Sequence, residues 1–246
     1  MKKGLESRLI IHEILKSARN YPLNLDLVFI KTINKKQISL SDRNMIKNVV
    51  LNSMRHYLIV EEIIKKYTKK IKKFNDSYYL LLSAITQLII LNFKDFAVID
   101  SSVELTKNKN INASGAFING ILRNINRNKK KIYITNYKFS KLPVWFTKKL
   151  PYWNNKQKNY FIKNILKEPN LHLVFKNDFD LKKINIDKMQ TTKQSIFLKT
   201  SMSIKKIPGY KEGYWWIQDF SSMMPLYLTR HAALKVSPRL NEPDTA

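Results

Sequence analysis

The chain has 246 residues, enough for one large or two ordinary domains, and 44% of them are apolar, as in a globular protein. Lys and Arg number 45 against 18 Asp and Glu, so the formal net charge is +27. This imbalance argues against a typical metabolic enzyme and favours a polyanionic partner, because each neutralised phosphate releases counterions. The chain has no Cys, which excludes disulfides and thiolate metal sites, and its 4 His lack the spacing of metal ligands.

The high content of Lys also has a second interpretation. Lys, Asn and Ile are all abundant, and the codon bias of an AT-rich genome would add solvated Lys without any nucleic-acid role. The segment from Met1 to Arg8 lacks a long apolar region and a small-residue cleavage site. The sequence therefore predicts a cytoplasmic protein with neither a membrane nor a metal as partner. The oligomeric state stays open, with a monomer as one option.

Apolar residues at helical spacing predict amphipathic helices over the first 64 residues. The first covers Arg8 to Ala18 and the second Leu25 to Ile33. A third follows the cap signal Ser39-Leu-Ser-Asp42 and bends or breaks near His56. Its inward residues are predicted to be Ile46, Val49, Val50 and Met54.

The stretch from Tyr78 to Phe93 is apolar on nearly every side, which predicts the central helix of a helical domain. Its length of about 16 residues is below the roughly 20 that a bilayer needs. Two amphipathic segments, Val98 to Lys107 and Ala113 to Arg127, are expected to cover it. The apolar positions of the second segment are Ala116, Phe117, Ile121, Leu122 and Ile125.

Two glycines and a basic end mark this last segment. Gly115 and Gly120 are predicted to permit close helix approach, since a glycine inside a helix costs about 1 kcal/mol relative to Ala. The end, Arg123 to Lys131, is strongly basic. Two interpretations stay open, because cations suit a helix C-terminus on dipole grounds and also suit contact with RNA.

Beyond residue 131 the composition changes. Residues 132–141 indicate a linker, and the following segment, up to Leu166, is aromatic and basic. Aromatic rings among Lys side chains can stack bases while the cations hold phosphates, whereas helical spacing favours core positions for Trp153 and Phe161. Three strands are predicted downstream, with Leu181 to Met189 as a connector. The strands are Leu171 to Phe175, Ser195 to Leu198 and Tyr214 to Gln218.

The last part of the chain has two further features. Pro208 to Gly213 indicates a loop, and Phe220 to Thr229 a helix with Pro225 near its first turn. Residues 230–246 contain Ala and Pro, while the bias towards Ile, Asn and Lys fades. Such a change predicts a disordered tail or a reading frame that no longer belongs to the gene. The fold class is therefore mainly α, with a helical bundle followed by a small α+β module.

Several segments carry a family resemblance in a fixed order. The most specific are Gly115-Ala-Phe-Ile-Asn-Gly-Ile-Leu-Arg123 and Gln218-Asp-Phe-Ser-Ser222. From about Leu5 to Leu228 the chain resembles bacterial ribosomal RNA cytosine-5 methyltransferases of the RsmB/Sun type. In that family a NusB-like helical domain precedes a small RNA-binding module and a catalytic domain. The weaker matches are Ser41-Asp-Arg43, Met54-Arg55, Val103 to Lys107, Leu142 to Trp145, Glu168 to Leu173 and Pro208-Gly-Tyr210 with Gly213.

The resemblance implies a division of the chain and a missing activity. It implies a NusB-like RNA-binding domain at 1–131, a linker at 132–141, a small RNA-binding module at 142–229 and an atypical tail at 230–246. In the family, the segment matching Gln218 to Ser222 leads into a Gly-rich turn that holds S-adenosylmethionine, with catalytic cysteines further on. Methylation of cytosine C5 needs a nucleophile at C6, a role for a thiolate, and this chain has no Cys. Its 5 glycines form no nucleotide-cradling loop after a strand.

The leading hypothesis is that the chain is the recognition part of a small-subunit ribosomal RNA cytosine-C5 methyltransferase, truncated before its catalytic domain and inactive alone. No catalytic, cofactor-binding or metal residue is predicted, and S-adenosylmethionine is implied only for the intact family. The alternatives are a freestanding NusB-like transcription antitermination factor and a helical adaptor that binds protein through its Val98 or Phe117 face. The candidate RNA-binding residues are Arg8, Arg43, Lys47, Arg55, Arg123, Arg127, Lys129, Lys130, Lys131, Trp145, Lys148 and Lys149.

Overall fold

A computed structural model describes residues 4–18, 24–34, 36–68, 71–132, 142–176, 184, 187–192, 195–198, 204–219, 221–225 and 228–229. The chain divides into two compact units between residues 167 and 168. The division at residues 131 and 142 inferred from the sequence stays a prediction. Most of the predicted linker and the whole tail at 230–246 lie outside the described residues.

The first unit is helical. Its elements are α1 (Leu5–Ala18), α2 (Leu25–Ile33), α3 (Leu40–Arg55), α4 (Tyr57–Tyr67), α5 (Asp76–Ile85), a π-helical turn (Thr86–Ile90), α6 (Asp95–Leu105), α7 (Gly115–Arg127), a 3-10 turn (Lys129–Lys131), α8 (Val144–Thr147) and α9 (Asn155–Ile165). Within the part of the chain that the structure describes, no helix is both long and apolar enough to cross a membrane.

Side-chain caps fix where the helices begin. The Ser39 hydroxyl accepts a hydrogen bond from the Asp42 N–H at 3.1 Å, as the cap signal predicts. Asn24, Asn75 and Ser114 cap α2, α5 and α7 in the same way. The break predicted near His56 is confirmed, because α3 ends at Arg55 and α4 starts at Tyr57. These caps satisfy N–H groups that have no partner inside the helix.

The central helix predicted at Tyr78 to Phe93 is confirmed in position. Every residue of α5 is buried, and the helix contacts α1, α3, α4, α6 and α7. Its last turn widens into the π-helical turn, in which the Leu91 N–H donates to the Thr86 carbonyl at 3.0 Å. Asn92 has a φ of 52° and stops the helix there. The uniformly apolar stretch therefore contains both an α-helix and a π-helical turn.

Two predicted helix faces need correction. Ile46, Val49 and Val50 are fully buried in α3, but Met54 is 37% exposed. The buried stripe instead continues to Ser53, whose hydroxyl donates to the Thr86 hydroxyl at 3.1 Å. In α7 the buried residues are Ile118, Leu122 and Ile125, at helical spacing of four and three residues. Ala116 and Phe117 lie outside that stripe and are exposed.

The two α7 glycines differ. A Cβ on Gly115 would lie 2.9 Å from the Thr106 hydroxyl oxygen, so the predicted close approach exists there. A Cβ on Gly120 would meet nothing within 4 Å, so the predicted packing role of Gly120 is wrong.

The second unit contains an antiparallel four-stranded sheet in the order β2-β3-β1-β4. Its strands are β1 (Leu171–Phe175), β2 (Lys188–Thr192), β3 (Ser195–Leu198) and β4 (Trp215–Ile217), with a 3-10 turn at Ile204–Lys206. Residues 221–225 are helical. The fold class predicted from the sequence, a helical bundle followed by a small α+β part, is confirmed.

One strand was not predicted. Lys188 and Met189 were assigned to a connector, but they begin β2, which pairs with β3 from Lys188↔Leu198 onward. The segment has a single apolar residue and therefore shows no alternation. It is an edge strand with polar residues and a bulge between Gln190 and Thr192. Both features are common at the edges of sheets.

Candidate nucleic-acid interface

The basic end of α7 is exposed and held by a buried face. Ile118, Leu122 and Ile125 fix the helix against the core. Arg123 and Arg127, one turn apart, are both exposed. The Arg123 Nε donates to the Asn119 side-chain oxygen at 2.8 Å, which orients its guanidinium.

Lys129 differs from its neighbours. Its Nζ donates to Asn92 Oδ1 at 2.7 Å and to Asp95 Oδ1 at 3.1 Å, so it ties the 3-10 turn to the start of α6. Lys130 and Lys131 in the same turn are exposed. No described carboxylate forms a salt bridge with Arg127, Lys130 or Lys131. We call these three residues the α7 cationic end.

Arg8 lies in a groove of about 530 Å³ formed by α1, α6 and α7. Its Nε donates to Gln87 Oε1 and its Nη1 to the Gly4 carbonyl, both at 3.1 Å. Burial lowers the pKa of the Arg8 guanidinium. Arg123 lines the same groove, and so do Asp100 and Glu104, which makes the groove mixed in charge.

Gln87 is a positioning residue that sequence reasoning did not select. Its Nε2 donates to the Ser83 hydroxyl at 2.9 Å and to the Ser83 carbonyl at 3.2 Å, which leaves its oxygen to accept from Arg8. The available signal was an amide in the middle of an all-apolar helix, because a buried amide needs partners.

The other predicted residues lie apart from the groove. Arg43 and Lys47 are exposed on α3, four residues apart and so on one face. Arg55 is half-buried, with its Nη1 donating to Asn52 Oδ1 at 3.1 Å. It lines a mainly apolar cavity of about 540 Å³ together with Trp145.

Lys131 lines a smaller groove of about 260 Å³ together with two residues that were not among the candidate RNA-binding residues. The additional residues are Lys66 and Tyr67 at the end of α4, with Glu62 one turn earlier. The candidate residues therefore fall on several surfaces: Arg8 with Arg123, Lys131 with Lys66, and Arg55 with Trp145.

The aromatic residues of the 142–167 segment divide into two sets. Phe146 stacks on Phe161 with ring centroids 5.3 Å apart, and Trp153 meets Phe161 edge-on at 5.4 Å. Trp153 and Phe161 are half-buried, and the buried residue of α9 is Ile162, so the two rings pack on each other without reaching the core positions favoured for them. The second set points to solvent, with Trp145 67%, Tyr152 96% and Tyr160 72% exposed. Lys148 and Lys149 are exposed as well.

A buried carboxylate holds α1, α5 and the loop before α7 together. Asp76 accepts from Lys16 Nζ at 2.7 Å and from the Asn112 N–H at 2.9 Å, and contacts His12 Nε2 at 3.2 Å. Burial raises the pKa of Asp76, but Lys16 and the Asn112 N–H outweigh it, so the pKa lies below its ordinary value. Burial lowers the pKa of His12 in spite of Asp76. The network supports the scaffold of the cationic surface.

Within the described ranges, no group of three His, Asp or Glu side chains is placed to hold a metal ion. What the arrangement offers is cations for an anionic partner and exposed rings for stacking.

The fold and this surface define a helical-bundle protein with exposed cations at the end of its last core helix. Residues 6–127 match the NusB family, and this part of the chain is a NusB family domain. No curated protein sequence matches the chain.

Two solved structures that match part of the chain are reported as "Antitermination Factors NusB and NusE in complex with dsRNA" and "a Plectonemic RNA Supercoil". The first is 22% identical, has a TM-score of 0.46, and matches 52% of this chain and 98% of its own. The second is 23% identical, has a TM-score of 0.46, and matches 56% of this chain and 100% of its own.

The crystal structure of PH0851 is 8% identical with a TM-score of 0.52. That similarity covers 93% of this chain and 56% of PH0851, so this chain spans just over half the length of that relative. At this identity the similarity concerns the fold alone.

Proposed function

We propose that the chain binds RNA through a surface that includes the α7 cationic end, Arg127, Lys130 and Lys131. The observation that carries the proposal is the exposure of these three cations, within five positions, without a described carboxylate partner. Phosphates are the natural counterpart, since their neutralisation releases counterions. The NusB family domain at 6–127 and the net charge of +27 support this function.

The dipole of α7 alone does not account for these cations. A helix C-terminus favours positive charge within its last turn. Lys129 is already held beside that end by Asn92 and Asp95. Lys130 and Lys131 follow the helix and are directed to solvent, which is the arrangement that a polyanion can use.

We further propose that this chain supplies RNA recognition for a small-subunit ribosomal RNA cytosine-C5 methyltransferase. The resemblance of Gly115 to Arg123 and of Gln218 to Ser222 supports this finer function. We propose no S-adenosylmethionine site among the described residues, because Gly115 and Gly120 lie within a helix and Gly209 and Gly213 lie in a loop before β4. Without Cys the chain offers no thiolate for cytosine C6, so no catalytic step is assigned to it.

Charge reversal tests the RNA-binding function. The variant carries Arg127→Glu, Lys130→Glu and Lys131→Glu, and the control carries Lys205→Glu, Lys206→Glu and Lys211→Glu. The control residues are exposed cations of the second unit, so both variants change the net charge equally. We expect the α7 variant to bind small-subunit ribosomal RNA fragments at least about tenfold more weakly than the control, because it loses specific phosphate contacts.

Circular dichroism checks that both variants remain folded. Equal affinities for the two folded variants would show that the α7 cationic end contributes only net charge. Absence of RNA binding by the wild-type chain would favour the adaptor hypothesis instead.

A further inference from the structure

A segment of the first unit combines exposed rings with an unbroken positive charge. Residues 142–167 contain six Lys, six aromatic residues and no Asp or Glu. In a chain with 18 acidic residues, this run of 26 positions has none, and the next acidic residue is Glu168. An anionic partner is therefore favoured over an acid-paired protein surface.

Two of the outward rings, Tyr152 and Tyr160, are too exposed to contribute much to the local core. The inward set, Phe146, Trp153 and Phe161, already forms a contiguous aromatic cluster. Trp145 meets Phe146 edge-on, with centroids 5.8 Å apart, and lines the apolar cavity beside Arg55 while staying 67% exposed. Tyr152 is almost fully exposed, so it contributes little buried area. Large exposed rings without a packing role are typical of binding surfaces.

On α9 the exposed ring is flanked by cations. Lys156 lies four residues before Tyr160 and Lys163 three residues after it, which places all three on one face of the helix. All three are exposed. The helix start is fixed by a reciprocal cap, in which Asn154 and Gln157 exchange side-chain to backbone hydrogen bonds of 2.9 Å.

We propose that Trp145, Tyr152 and Tyr160, with the lysines around them, form a site for single-stranded RNA. The rings stack on bases and the lysines contact the neighbouring phosphates, which is the combination that single strands need. In a duplex the faces of the bases are covered by their neighbours, so the rings would find nothing to stack on. The inference rests on the proposed RNA-binding function and names the kind of RNA that this surface takes.

The test uses the full chain and a labelled single-stranded RNA of about 12 nucleotides, a length within the site sizes of such proteins. The same strand annealed to its complement is the second probe. Fluorescence anisotropy gives the dissociation constant of each at several salt concentrations. The variant is Tyr152→Ala with Tyr160→Ala, whose exposed side chains can be removed without opening the core. The control is Trp216→Ala, which removes an exposed ring from the second unit.

We expect the wild type to bind the single strand more tightly than the duplex. The double variant should lose about fivefold or more in single-strand affinity per ring, with little change for the duplex. Its salt dependence should match the wild type, because stacking releases no counterions. Lys156→Gln with Lys163→Gln should instead lower the slope of log K against log salt by about 1.4. The control should behave as the wild type.

The outcomes separate the two proposals. If the wild type binds neither probe, the RNA-binding function itself fails. If it binds RNA but the folded double variant keeps its single-strand affinity, or loses affinity for both probes equally, the stacking site is overturned and the RNA-binding function stands.

Discussion

The two glycines of α7 show how one residue type serves different purposes at neighbouring positions. Gly115 lies where a Cβ would approach the Thr106 hydroxyl, which itself donates to the Val103 carbonyl at 2.6 Å. Gly120 is exposed and faces open space. Both glycines were predicted to permit close helix approach, because a helical pattern does not show which residues lie beside each glycine.

Substitution by Ala should separate the two glycines. Gly115→Ala is expected to lower the free energy of unfolding by about 1 kcal/mol, since Thr106 must move. Gly120→Ala should raise it by about 0.5–1 kcal/mol, because Ala favours an exposed helix interior. Urea denaturation measures both. Opposite signs are expected, and a loss of stability in both variants would show that Gly120 has a packing role after all.

Asp76 is a buried charged residue that links α1, α5 and the loop before α7. Its folded pKa lies below the ordinary value of 3.8, so its contribution is complete above that value and is lost as the pH falls through the lower folded pKa. Asp76→Asn is expected to cost about 1–3 kcal/mol of unfolding free energy at pH 7. The difference from the wild type should shrink below about pH 4. A difference that stays constant down to pH 3 would exclude the carboxylate charge as its source.

Among the elements, the 3-10 turn after α7 contains one lysine that stabilises the fold and others that are proposed to bind RNA. Lys129 is bound by Asn92 and Asp95, whereas Lys130 is exposed. Lys129→Ala is therefore expected to lower stability by about 0.5–1 kcal/mol, the usual range for a partly exposed ion pair. Lys130→Ala should leave stability unchanged and weaken RNA binding. Thermal denaturation measures the stability of both variants, and fluorescence anisotropy measures their affinity for RNA. A loss of stability in Lys130→Ala with unchanged RNA binding would contradict this assignment.

The elements also show why patterning predicts some boundaries and not others. The bounds of α2 and the break between α3 and α4 follow from cap residues and apolar spacing within the same short stretch of sequence. The π-helical turn and strand β2 do not, because each involves a partner that the local apolar pattern does not show. Ser53 reaches Thr86 across the core, and β2 is a strand because β3 pairs with it.

For the whole molecule, composition and pattern were enough to predict a helical bundle followed by a small α+β part. The same information could not place the candidate residues relative to each other. Arg8 and Arg123 are distant in sequence and share a groove because α1 and α7 both pack beside α6. Spacing singled out Trp153 and Phe161, but it could not show that both stay half-buried, since that depends on how α8 and α9 pack.

The central claim is that the net charge of +27 serves to bind RNA. The most direct test is the dissociation constant of the full chain for a small-subunit ribosomal RNA fragment, measured over a range of monovalent salt. We expect binding that weakens steeply, with log K falling linearly against log salt by about 0.7 for each phosphate contacted on a single strand. A flat salt response, or no binding at low salt, would contradict the claim and leave the lysines as solvated surface.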